Sequence, residues 1–124
     1  MFSEAQAFNQ YIGGWDVSSV TEFSFMFNAA LAFNQDLGAW DVSQATDLTR
    51  MFNLAIDFDQ DLGSWDIGSV TVATDMFTNS GMSVANLDST LRGFAKIDIA
   101  SGETNIHSDV SFGFSNLTFS AATT

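Results

Sequence analysis

The sequence contains no cysteine, and only three Lys and Arg stand against fifteen Asp and Glu. The first absence excludes disulfides, thiolate metal sites and cysteine nucleophiles together. The second leaves a formal charge of −12. The cationic groups that neutralise phosphates in most nucleic-acid complexes are therefore missing, so nucleic acid is excluded as a partner. An anionic membrane surface repels such a chain for the same reason. No apolar run reaches the ~18 residues of a membrane span, so this segment is not expected to insert into a membrane. No cationic stretch precedes an apolar one, which removes a signal peptide. His107 is the only histidine, and without a second His or a Cys it offers no zinc-ligand set. The Ser108-Asp109 pair beside it does not make a triad, which needs three groups converging in space. The nine glycines do not follow the spacing of a phosphate-cradling loop. Disorder is excluded as well, because 46% of the chain is hydrophobic and 14% aromatic, with thirteen Phe and three Trp.

What the chain does have is an internal repeat of 25 residues. Met-Phe recurs at Met1-Phe2, Met26-Phe27, Met51-Phe52 and Met76-Phe77. Phe8, Phe33 and Phe58 keep the same step, as do Gln10, Gln35 and Gln60, and Gly13, Gly38 and Gly63. Trp15-Asp16, Trp40-Asp41 and Trp65-Asp66 follow, then Thr21, Thr46 and Thr71. No residue is inserted or deleted across the three units. A unit this short cannot bury its apolar face alone, so stability must come from interfaces between stacked units.

Within a unit the spacing predicts two elements. Trp15 and Val17 alternate around Asp16, as Trp40 and Val42 do around Asp41 and Trp65 and Ile67 around Asp66. A period of two predicts a short strand, one per turn, stacked into a parallel sheet. Val20, Phe23, Met26-Phe27 and Ala30 then follow a three-to-four residue step, which predicts a short helix with Thr21 at its N-cap. The expected fold is an α/β solenoid of leucine-rich-repeat type, with one short parallel strand and one short helix per turn. A β-helix with several strands per turn is the structural alternative. Residues 1–77 form the repeats, and 78–124 a C-terminal capping unit of helix plus short strands.

In that cap, Ser83 precedes Val84, Leu87, Leu91 and Phe94 at helical spacing, which predicts a capped amphipathic helix from about Ser83 to Ala95. Ile97 and Ile99 around Asp98 read as a short strand, and Val110, Phe112 and Phe114 as a second. Leu117 and Phe119 continue the apolar signal. The chain starts in the middle of a repeat and stops without closing an element, so it is expected to be a segment of a longer protein. An uncovered strand edge at the N-terminal end would favour self-association.

The run Phe33-Asn34-Gln35-Asp36-Leu37-Gly38-Ala39-Trp40-Asp41-Val42-Ser43, with Thr46-Asp47 and Met51-Phe52 after it, resembles the repeat of BspA-like bacterial surface proteins. The likeness covers residues 1–77 in every unit, and Met82 to Ala95 is similar to the C-terminal unit of that family. Phe23, Leu48 and Ala73 depart from it at a position where Met is usual. The resemblance implies a secreted or surface-anchored protein grouped with leucine-rich repeats, extracellular or at the cell surface, with adhesion as its role. It implies no active site.

The candidate site is acidic. Asp16, Asp41 and Asp66 recur once per turn on the side opposite the core, with Asp36 and Asp61 as a second row five residues earlier. Residues 1–75 carry eleven acids and one Arg, so the acidity belongs to the repeats. Stacked carboxylates could present hard oxygens to calcium or another cation, but no calcium-loop motif occurs, and a solvated acidic face explains them as well. No metal or other cofactor is expected. The Trp ladder could stack sugars if it faced outward; its alternation with Val and Ile favours a core spine instead. Asn9, Asn34 and Asp59, with Gln10, Gln35 and Gln60, read as side-chain ladders satisfying stacked turns rather than as ligand-binding amides. Asn116-Leu117-Thr118 matches a glycosylation acceptor, a tripeptide common by chance. The function expected is a non-enzymatic surface recognition or adhesion module, presenting its acidic face to a protein or glycan. A structural spacer within a larger surface protein is the alternative.

Overall fold

The computed structural model describes residues 1–100. Its organising bonds run between units. Phe23, Phe25, Phe27 and Ala29 donate their backbone N–H groups to the carbonyls of Asp47, Thr49, Met51 and Asn53 at 2.8–3.0 Å. Leu48, Arg50, Phe52 and Leu54 repeat this to Val72, Thr74, Met76 and Thr78 at 2.9 Å. Phe2 and Glu4 do the same to Met26 and Asn28, at 2.8 and 2.7 Å. Successive units therefore lie on one another in strict register.

The conformation inside each unit differs from the expectation. Residues 21–30 form no helix. Met26, Asn28 and Ala30 bond back three residues to Phe23, Phe25 and Phe27, while the amides between them leave for the next unit. An α-helix would send every amide back four residues. The alternation is produced by residues in the left-handed region, with φ of 52–62° at Glu4, Phe25, Ala29, Arg50, Leu54, Asp75 and Asn79. Thr21 accordingly caps no helix, and its carbonyl accepts the Thr46 N–H at 2.8 Å. The Trp-Asp-Val segment is no strand either; turns bracket it, with Trp15 N–H bonded to Ile12 O and Val20 N–H to Val17 O. Strand-like pairing is confined to isolated parallel bridges from Glu22 to Asp47 and from Asp47 to Val72. The α/β solenoid with a strand and a helix per turn is therefore corrected, and the β-helix alternative meets the same finding. Among the described residues there is one helix and no sheet.

Aromatic rings fill the interior. Phe2, Phe27, Phe52 and Phe77 stack at 5.5–5.8 Å between centroids, within 7° of parallel. Phe8, Phe33 and Phe58 form a second column at 5.7 and 6.0 Å. The columns touch at 4.0–4.3 Å through Phe2–Phe8, Phe27–Phe33 and Phe52–Phe58. Each such pair contributes ~0.5–1.5 kcal/mol beyond its area. Leu37, Leu62, Val42 and Ile67 close the core around them.

Helix α1 (Val84–Ala100) covers the third unit. Ser83 is its N-cap, its Oγ accepting the Asn86 N–H at 3.1 Å and its carbonyl the Leu87 N–H at 2.8 Å. The helix passes the expected end at Ala95, so Ile97 and Ile99 are helical rather than a strand. After Gly93 no Gly or Pro occurs until Gly102. Leu87 and Phe94 are buried, whereas Val84 is exposed. A second face is polar and small. Ser83 N–H donates to Asp59 Oδ1 at 2.8 Å, Ser89 Oγ to Asp61 Oδ2 at 2.6 Å, and Thr90 Oγ1 accepts the Leu62 N–H at 3.0 Å. Gly93 lies directly on Gly63. The expected strand at Val110, Phe112 and Phe114, the signal at Leu117 and Phe119, His107 and Asn116 lie outside the described residues.

Candidate functional site

Asp16, Asp41 and Asp66 are all exposed, one per unit, on the segment that follows each Trp. Each is part of its own turn. Asp16 Oδ1 accepts the Ser18 N–H at 3.1 Å and the Ser18 hydroxyl at 2.6 Å. Asp41 repeats this with Ser43 at 3.0 and 2.6 Å, and Asp66 Oδ1 accepts the Gly68 N–H at 2.9 Å. The Ser18 hydroxyl, then its amide, hold the Asp16 carboxyl below the usual carboxylate range. The Ser43 hydroxyl and amide do the same for Asp41, opposed by slight burial and by the Asp16 charge nearby. Asp16 and Asp41 therefore stay ionised at neutral pH.

Asp36 and Asp61 use the same device, their Oδ1 atoms accepting the Gly38 and Gly63 N–H groups at 2.8 Å. Asp47 repeats it with Thr49 at 2.8 Å. An Asp side chain bonded to the amide two residues on is an Asx-turn. Its signature, Asp-x-Ser or Asp-x-Gly, stands in the sequence at Asp16, Asp36, Asp41, Asp61 and Asp66 and gives these residues a local structural use that spacing alone does not reveal.

The amide ladders occur as expected. Asn9 Oδ1 accepts the Asn34 N–H, Asn34 Oδ1 the Asp59 N–H, and Asp59 Oδ1 the Ser83 N–H, at 2.8–2.9 Å. Gln35 and Gln60 brace the same positions through Nε2. These side chains are consumed within the stack. Among the described residues no three His, Cys, Asp or Glu side chains gather to hold a metal ion, so the geometry adds nothing to a calcium site at Asp16, Asp41 and Asp66.

The Trp ladder is buried at two of its three rungs. Trp40 and Trp65 are 3% and 0% exposed, and each indole N–H bonds a carbonyl of the preceding unit at 2.9 Å. Trp15 is 45% exposed. It borders a pocket of about 320 Å³ on the N-terminal face, together with Val20, Phe23 and Met26 and the acids Asp16 and Glu22. Sequence reasoning did not single out Glu22 as a site residue, because its repeat position is acidic only once more, at Asp47, and is Val72 in the third unit. Elsewhere Arg50 lies 5.9 Å over the Phe25 ring and 3.7 Å from Asp75. No helix among the described residues is long and apolar enough to cross a membrane.

The model of a family described as "Mycoplasma protein of unknown function, DUF285" matches residues 1–90. No curated protein and no solved structure matches the chain.

Proposed function

The chain belongs to the DUF285 family, and from that premise we propose that this repeat protein is a non-enzymatic recognition module whose acidic face engages a cationic protein or glycan partner at a cell surface. One observation carries the reading: Asp16, Asp41 and Asp66 repeat in register on an exposed edge, each oriented by its own turn. A fixed row of like charges concentrates a negative potential and speeds the approach of a cationic partner at low salt. The resemblance of the Phe-Asn-Gln-Asp-Leu-Gly-x-Trp-Asp-Val-Ser unit to BspA-like repeats supports the extracellular setting and the adhesive role.

The test removes charge while keeping the turns. Asp16→Asn, Asp41→Asn and Asp66→Asn each retain an Oδ1 acceptor. The triple variant is compared with the parent for binding to an oligolysine probe and to intact cells. A control carries Glu4→Gln, Asp57→Asn and Asp75→Asn, losing equal charge elsewhere. Binding lost only in the row variant supports recognition. Equal behaviour of the two variants favours a structural spacer, a reading suggested by the use of every Asp of the row in its own turn.

A further inference from the structure

We draw no further inference here: the strongest candidate, the surface patch made by the exposed apolar side chains of Leu54 and Ile56 at the left-handed turn of the third unit, carries none because nothing in the structure shows what covers it.

Discussion

The indole Nε1–H of Trp40 donates to the carbonyl of Ile12 at 2.9 Å, and Trp65 repeats the bond to Leu37. Each Trp thus ties its own unit to the one before through a buried polar contact. Replacing Trp65 with Phe removes one of the two bonds to the Leu37 carbonyl, which keeps the Trp40 N–H at 3.1 Å, at a cost of about 0.5–1.5 kcal/mol before lost volume is counted. Trp15→Phe, at a half-exposed rung, should cost about 0.5 kcal/mol or less. Urea unfolding of the two variants checks the contrast, and equal losses would contradict the ladder.

Gly93 is required by the approach of α1 to the third unit. A Cβ there would enter the backbone of Gly63, whereas one at Gly14 would meet nothing within 4 Å. Gly93→Ala should therefore destabilise by about 1–3 kcal/mol, the usual cost of overpacking, with α1 losing amide protection first. Gly14→Ala should be close to neutral. Hydrogen exchange of the two variants separates a local undocking of α1 from general loss of structure.

The period, the Phe columns and the Trp register were legible because they depend on which residues recur, and stacking in register follows from strict recurrence. The backbone path was not legible. Phe23, Phe27 and Ala30 return to the interior every third or fourth residue in a chain of turns, as they would in a helix, so the hydrophobic spacing fits both. What decides between them is left-handed backbone at Phe25, Arg50 and Asp75, and three such different side chains carry no common signal. The acid row was legible as a row. Its use as turn caps was written in Asp-x-Ser and Asp-x-Gly, and the pull of charge periodicity concealed it.

Ala29 tests the cost of that backbone. Its φ is 59°, a conformation that costs a non-glycine residue ~1–2 kcal/mol. It is held because its N–H reaches Asn53 in the next unit at 2.8 Å. Ala29→Gly relieves the strain and gives back ~0.5–1 kcal/mol through greater unfolded-state entropy. The net expectation is a gain of about 0.5 kcal/mol. A lower denaturation midpoint would mean that the left-handed turn is not the strained element.

Asp59 stands where the two preceding units have Asn9 and Asn34, and it meets α1 directly. Partial burial pushes its carboxyl up, but bonds from the Ser83 N–H and from the Asn86 and Ser83 side chains outweigh this and hold it below the usual value. A carboxyl whose folded pKa is depressed stabilises fully above its unfolded value and loses that contribution as pH falls through the folded one. Stability should therefore decline below about pH 4, the ordinary Asp range. Asn34 accepts the Asp59 N–H at 2.9 Å through an amide oxygen, so Asp59→Asn keeps an acceptor that does not titrate. Its melting temperature should lie slightly below the parent at neutral pH and fall less steeply in acid. Asp16 and Asp41, also depressed, persist in both proteins, so the difference between the two profiles isolates Asp59. Parallel profiles down to about pH 2.5 would show that α1 is held by Gly93, Thr90 and its apolar face, and not by the carboxylate charge.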